Sequence, residues 1–177
     1  MLVESGSTPV IIDAGANIGL ASLWFAELFP LARIFAVEPD ICNQKVLEQN
    51  IQGRSNIIAV AGGVWDKSTM LHIENPDAGA ASLRTAEGGD LRGYTIPEII
   101  KEANGQLFIV KVDIEGAEAA LFRSNTDWFA EASLVVLELH DWLYPGQGTS
   151  RNFLRCLSDQ PIDLVYRGEN MFCFRFR

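Results

Sequence analysis

Apolar residues fall along the chain in short runs bounded by turn residues: Val10-Ile12, Ile34-Val37, Ile57-Val60, Leu107-Val112 and Leu134-Leu139. Each run is near-continuously apolar rather than alternating, the pattern of strands covered on both faces of a parallel sheet. Between the runs the spacing turns helical. One helix is predicted over Ile18–Phe29, stopped by Pro30, and a second over Asp40–Gln52, with Asp40 as cap and Gly53 as terminator. Others are predicted over Pro97–Ala103, over Gly116–Arg123 with a broken continuation through Trp128, and over Arg151–Leu157. The tail changes character. Asp163–Arg167 and Met171–Phe176 flank Gly168-Glu169-Asn170, a hairpin with a three-residue loop, and Phe172, Phe174 and Phe176 alternate with Cys173 and Arg175. This order predicts one α/β domain over residues 1–177: a doubly wound, mostly parallel sheet that ends antiparallel.

One segment stands apart. Asn75 to Gly93 is rich in Gly, Ala and Ser and carries Arg84 and Arg92. A mobile surface loop and a lid over a ligand pocket both account for such a stretch.

Composition narrows the function classes. A chain of 177 residues suits one domain with a substantial core, and 48% apolar with 21% charged residues is the balance of a soluble globular protein. Fourteen basic against 23 acidic residues give a net charge of −9, which argues against a nucleic-acid partner and tolerates a cationic ligand. Cys42, Cys156 and Cys173 share no metal-binding spacing and read as reduced thiols. No stretch is long enough to span a bilayer and no signal layout opens the chain, so a cytoplasmic protein without a membrane partner is expected. Nothing here sets the oligomeric state.

The chemistry gathers at predicted strand ends, where open α/β sheets bind their ligands. "VIIDAGANIG", residues 10–19, runs a strand into a turn of small residues. Gly15 and Gly19 allow close backbone approach, and Ala14 and Ala16 keep side chains away. The spacing is G-x-x-x-G, not the dinucleotide fingerprint G-x-G-x-x-G, and Asp13 at the strand end suits an ammonium or sulfonium better than a pyrophosphate. A tight strand-helix turn would need the same small residues. Glu38 in "AVEPD" ends the second strand 19 residues after Gly19, where a carboxylate can accept both hydroxyls of a ribose. "VKVDIEGAE" places Asp113 at the tip of the fourth strand and Glu115 in the turn, while "VLELHDW" puts Glu138 and His140 on one face of the fifth. Glu115 and Glu118 also stand where a helix N-terminus favours negative charge, and capping is the preferred reading of Glu118.

In this order, "VIIDAGANIGLAS", "FAVEPD", "KVDIEGAE" and "LELH" resemble the FkbM family of S-adenosylmethionine-dependent methyltransferases, from about Val10 to His140. "AGGVWDKS" and "ASLR" are similar to shorter segments of the same family. The resemblance implies the Rossmann-like sheet of class I methyltransferases, with strand order 3-2-1-4-5-7-6 and the seventh strand antiparallel. It places Asp13, Gly15, Asn17 and Gly19 around the methionine half of the cofactor, Glu38 at the ribose, and Gly63, Val64 and Asp66 at the adenine. It implies O-methylation of a small-molecule hydroxyl, on a sugar, glycoside or polyketide-like acceptor. Relatives carry a longer segment before the first strand, so the nine residues before Val10 imply a minimal version or a chain without that N-terminal extension.

An alcohol needs help to lose its proton. Asp113, which also borders the expected cofactor site, and His140 are the predicted bases, with Glu138 beside them. A metal-assisted variant would draw on Asp113, Glu138 and His140, but no dense ligand motif supports it, and no metal is expected. Trp142 and Tyr144 suit either an aromatic platform for a sugar or core packing, and His72 is expected at the surface. A nucleotide-dependent oxidoreductase would share the fold and Glu38 but needs the missing glycine fingerprint. A module that binds the cofactor without catalysis is the other alternative.

Overall fold

The computed structural model describes residues 6–75, 83–158 and 160–175. The chain runs β1 (Pro9–Ala14), α1 (Leu20–Leu28), β2 (Arg33–Glu38), α2 (Ile41–Asn50), β3 (Ile57–Ala61), β4 (Gly63–Val64) and β5 (Thr69–Ile73). It continues through β6 (Thr85–Glu87), β7 (Leu91–Tyr94), α3 (Ile96–Ala103), β8 (Gln106–Val112), α4 (Glu118–Leu121) and α5 (Trp128–Glu131). Then follow β9 (Leu134–Glu138), a 3-10 turn over Asp141–Leu143, α6 (Arg151–Ser158), β10 (Asp163–Arg167) and β11 (Asn170–Phe174).

The main sheet has seven strands in the order β3-β2-β1-β8-β9-β11-β10. Neighbours pair in parallel from β3 to β9, whereas β11 runs antiparallel to both β9 and β10. Counted within this sheet alone, the order is 3-2-1-4-5-7-6 with the seventh strand antiparallel, as the sequence predicts. The continuous apolar runs have a direct cause. Val10, Ile12, Phe35 and Val37 enter one core cluster with Ile96, Ile99, Trp128 and Phe153, while Ile11, Ile34 and Ala36 enter the other with Phe25 and Leu47. Alternate residues of one strand thus meet helices on opposite faces. An aromatic group of Phe122, Trp128, Phe129 and Phe153, with ring centroids 5.1–6.2 Å apart, fastens α5 and α6 to that first face.

Element boundaries show where local signals lose. The first helix starts at Leu20, not Ile18, because Asn17 (φ 50°) and Gly19 (φ 86°) are left-handed. Asp40 caps α2 as expected, accepting from the amides of Cys42 and Asn43 at 2.9 and 2.8 Å. The predicted helix over 116–123 is cut to the single turn of α4, flanked by left-handed Glu115, Gly116 and Asn125. In the terminal hairpin Arg167 pairs with Asn170, so the loop is two residues, Gly168-Glu169, rather than three. Gly168, at φ 63°, takes the first loop position as a type II′ turn requires. Phe176 lies outside the described residues.

A second, four-stranded sheet, β4-β7-β5-β6, replaces the expected loop or lid over the latter half of Asn75–Gly93. Thr85–Glu87 and Leu91–Tyr94 are strands, both antiparallel to β5; residues 76–82, including Ala81 and Ser82 of "ASLR", lie outside the described residues. Short strands broken by Gly88 and Gly89 carry too little apolar periodicity to read locally. Among the described residues no helix is long and apolar enough to cross a membrane.

Candidate active site

A cleft of about 600 Å³, counted out to solvent, opens at the carboxyl ends of the central strands. Gly15 and Asn17 floor it, Glu38 and Pro39 stand on one side, Gly63, Val64 and Leu83 close another, and Asp113, Ile114 and Glu115 form the opposite wall. Of the nine residues predicted for the cofactor, Gly15, Asn17, Glu38, Gly63, Val64 and Asp113 line this space.

The turn after β1 is held by its own chain. The amides of Gly15 and Ala16 both donate to the Val37 carbonyl at 3.0 Å, that of Gly19 donates to the Ala16 carbonyl at 2.8 Å, and that of Asn17 donates to Glu38 Oε2 at 2.8 Å. With these donors consumed, the turn is no phosphate cradle. Its two glycines answer to packing. A Cβ on Gly15 (φ 77°) would stand 1.8 Å from the Asp113 carbonyl oxygen, and one on Gly19 (φ 86°) would stand 2.3 Å from Leu47 Cδ1. Gly19 seats α1 against α2 and does not reach the cleft.

Asp13 also departs from its expected place. It is closed to solvent beneath the turn, accepting from Ser22 Oγ at 2.6 Å and pairing with Lys111 Nζ at 3.5 Å. Burial pushes its carboxyl above the usual range, against the opposing pull of Lys111 and Ser22. The cation it faces is the chain's own. Lys111 spans to Asp113 Oδ2 as well, at 3.2 Å; burial draws its ammonium down, but the two aspartates outweigh this and leave it raised. Lys111 is not among the residues expected at the site, although a lysine inside the run "FIVKVD", two residues before Asp113 and so on its face, calls for buried partners.

Glu38 is 4% exposed and already accepts three hydrogen bonds, from Asn17 N, Asp40 N at 3.0 Å and Asn43 Nδ2 at 3.2 Å. A carboxylate has about four acceptor positions. One remains, so a ribose could gain one direct hydrogen bond here rather than the two expected. Burial raises its pKa despite these donors. Asp66 is elsewhere altogether: Oδ2 accepts from Ser124 Oγ at 3.0 Å and pairs with Arg123 Nε at 3.2 Å, tying the β4–β5 connection to the end of α4. It does not line the cleft.

The wall beyond Asp113 holds the densest chemistry. His140, 1% exposed at the end of β9, sets Nδ1 2.8 Å from Glu118 Oε1. Its Nε2 faces Asp113 Oδ1 at 3.7 Å, Glu115 Oε2 at 3.6 Å and Glu138 Oε1 at 3.6 Å. All three residues proposed for proton transfer therefore meet, and Glu115 and Glu118 join them. Burial opposes the charged imidazole, but Glu118, Glu115 and Glu138 outweigh it and raise the His140 pKa. Burial, and after it the Asp113 carboxylate, raise Glu115 and Glu138 against the opposing pull of His140. Glu118 does accept from the Gly116 amide at 3.3 Å, as a capping acid would, but its buried carboxylate also orients the histidine.

A second pocket shares Thr85, Glu115 and Ala117 with the cleft and adds Arg84, Tyr144, Gln147 and Thr149. Tyr144 lies beneath the Arg84 guanidinium, 4.5 Å from ring centre to Cζ, and donates to the Glu115 carbonyl at 2.8 Å. Trp142 is 67% exposed. His72 sits on β5 with Nδ1 3.2 Å from the Gly88 carbonyl, away from both pockets.

Comparison with known proteins agrees with this geometry. The family model described as the methyltransferase FkbM domain matches residues 13–162. The methyltransferase sdnD of Sordaria araneosa is 34% identical over 116 residues, covering 62% of this chain and 45% of that protein. The hexuronic acid methyltransferase AglP of Haloferax volcanii is 24% identical over 150 residues, covering 82% of this chain and 62% of that protein. The chain thus spans roughly half of these relatives' lengths, 45% and 62%. In fold it is similar to the Podospora anserina methyltransferase PaMTH1 solved with S-adenosylhomocysteine (TM-score 0.57, 12% identity, 96% of this chain and 72% of that one). Aeropyrum pernix fibrillarin with bound S-adenosylmethionine is similar too (TM-score 0.53, 14% identity, 98% and 68%). With the family model covering residues 13–162 and the sheet order that of class I methyltransferases, the chain belongs to the FkbM methyltransferase family.

Proposed function

We propose that this chain catalyses methyl transfer from S-adenosylmethionine to a hydroxyl oxygen of a small acceptor of the sugar or natural-product class. The observation that carries the reading is the buried His140, oriented by Glu118, with Nε2 turned toward Glu138, toward Asp113 of the cleft wall, and toward Glu115, which lines both pockets.

S-adenosylmethionine is the family's cofactor, and the donor set fits it. The cleft's charged groups are carboxylates, Glu38, Asp113 and Glu115, and four amides of the β1 turn are spent on protein acceptors. Such a lining suits a nucleoside bearing a positive charge and rejects a pyrophosphate. Gly15, Asn17, Glu38, Gly63, Val64 and Asp113 would hold it. When bound, the cofactor supplies a methyl group already activated by its sulfonium.

The protein's part is alignment and the acceptor's proton. An alcohol is a poor nucleophile until that proton has somewhere to go. His140 Nε2, when no other ligand holds it, can take the proton, because Glu118 fixes Nδ1 as the protonated nitrogen. The carboxylates around it stabilise the imidazolium that results. The second pocket supplies room beside this group, with Arg84, Gln147 and Thr149 as polar partners and Tyr144 as support. A relative named as a hexuronic acid methyltransferase makes sugar acids the first acceptors to examine, and Arg84 offers a carboxylate partner.

Two measurements test this. Calorimetry should detect S-adenosylhomocysteine binding, and labelled S-adenosylmethionine should pass its methyl group to a hydroxyl when sugars, uronic acids and glycosides are screened. No heat of binding removes the cofactor assignment; label appearing on nitrogen or carbon removes the acceptor assignment.

A further inference from the structure

We infer that Asp113, Glu115 and His140 form a binding site for a divalent first-row metal ion at the junction of the two pockets. One donor atom from each of these residues lies within 4.8 Å of the other two. Donors bound to one ion at roughly 2.1 Å stand about 3.0 Å apart when adjacent and about 4.2 Å apart when opposite. The separations from His140 Nε2, 3.7 Å to Asp113 Oδ1 and 3.6 Å to Glu115 Oε2, fall between these limits, and the donor atoms all lie within 4.8 Å of one another, about 0.6 Å beyond the wider limit.

A cluster of acids is common without an ion, and here a separate observation distinguishes it. The His140 side chain is 2% exposed, and its Nε2 makes no hydrogen bond among the described residues, although three carboxylates surround it. Its other nitrogen is locked to Glu118, whose side chain is closed to solvent. A carboxylate on one imidazole nitrogen, leaving the other bare and aimed at oxygen donors, is the arrangement that orients a metal-binding histidine and fixes its tautomer. The charge count points the same way. Four carboxylates, Asp113, Glu115, Glu118 and Glu138, surround one imidazole, and the neighbouring cation, Lys111, is already shared between Asp13 and Asp113. Mixed imidazole and carboxylate donors select manganese, iron or zinc over calcium.

The site's use rests on the methyl-transfer reading. Asp113 and Glu115 line the cleft, and Glu115 also lines the second pocket, so an ion among them would meet the acceptor's oxygen. The ion lowers the hydroxyl's pKa; the O–H bond breaks and its proton passes to Glu138, which stands beside His140 Nε2 outside the three-donor set. The oxygen then forms its bond to the methyl carbon as the bond to sulfur breaks. His140 is a ligand in this arrangement and not the base.

Manganese is the probe. The chain, saturated with S-adenosylhomocysteine, is titrated with Mn²⁺ while the electron paramagnetic signal of the free ion is followed. One saturable ion per chain is expected. Glu115→Gln, on a partly exposed turn, should weaken uptake at least tenfold, and Glu118→Gln by about 10–100-fold through the histidine it orients. Failure of Glu118→Gln to fold leaves Glu115→Gln to decide. S-adenosylhomocysteine binding without saturable Mn²⁺ uptake at millimolar ion, or uptake equal in Glu115→Gln, overturns the metal site and leaves the cofactor reading standing. Loss of S-adenosylhomocysteine binding itself would instead strike that earlier reading.

Discussion

His140 and Glu118 are joined out of reach of water, Nδ1 to Oε1 at 2.8 Å, across 22 residues of chain. Burial alone would favour the neutral imidazole, and the pair reverses that preference. The reversal links protonation to folding. A histidine whose folded pKa lies above its unfolded value of about 6.5 binds its proton more tightly when folded, so its stabilisation is full below that value. It is lost as pH rises through the folded pKa.

In a chelating buffer, then, the melting temperature should fall as pH rises above about 6.5, and His140→Gln should flatten the fall. Parallel curves for the two proteins would show that His140 carries no such linkage. The raised carboxyls of Asp13, Glu38, Glu115 and Glu138 act with the same sign but start from the lower carboxylate range, so the part of the difference between wild type and variant that appears above about 6.5 reports the histidine.

Glu38→Ala should act on binding and folding together. It removes the acceptor of the Asn17 and Asp40 amides and takes from the cleft the carboxylate proposed to meet the ribose. Affinity for S-adenosylhomocysteine should drop by about 1.5–3 kcal/mol and stability by about 1–3 kcal/mol, the cost of stranding donors of a charged acceptor. Calorimetry and denaturant melts read the two separately. Unchanged stability with weakened binding would mean that the turn does not depend on this carboxylate.

Much of the frame could be read from residues because its cause is local. Continuous apolar runs such as "FIVKV" record strands covered on both faces, and Asp40 announces the start of α2 by its own side chain. Other features rest on distant partners. The smallness of Gly19 is visible in the sequence, but that Leu47 of α2 fills the space is not. Asp13 reads as a ligand for a cation, and the cation turns out to come from β8. Glu118 reads as a cap because a predicted helix N-terminus is near in sequence, whereas its histidine arrives only when β9 packs beside β8. The short strands of the second sheet fail for another reason: three or four residues interrupted by glycine carry no periodicity to detect.

Lys111→Met tests the buried charge arrangement. Without the ammonium, Asp13 keeps a carboxylate at 0% exposure with only Ser22 to stabilise it. Breaking a buried pair from one side costs about 3–5 kcal/mol, and that loss is expected near neutral pH. As pH falls toward the raised pKa of Asp13, the carboxyl takes up a proton and the deficit relative to wild type should shrink. A deficit independent of pH would assign the effect to lost packing of the lysine stem instead.

Turnover and binding should respond differently to the loss of Asp113 and of His140. Asp113 borders the cleft proposed for the cofactor and contacts Lys111, whereas His140 stands behind it with no place in the cleft lining. Replacing either should lower turnover by about 10²–10⁴-fold, the usual worth of assisting a proton transfer. The two variants should separate on binding. Asp113→Asn should weaken S-adenosylhomocysteine and His140→Asn should leave it nearly unchanged, since only the aspartate is among the residues proposed to hold the cofactor. Added Mn²⁺ then sorts the routes. If His140 takes the proton directly, wild-type turnover ignores chelation and falls at low pH as the imidazole fills. If His140 holds an ion, chelation stops wild-type turnover, Mn²⁺ restores it, and His140→Asn recovers only at much higher ion concentration. Full turnover by His140→Asn, with or without the ion, would take the residue out of the reaction and return the proton to Asp113 or Glu138.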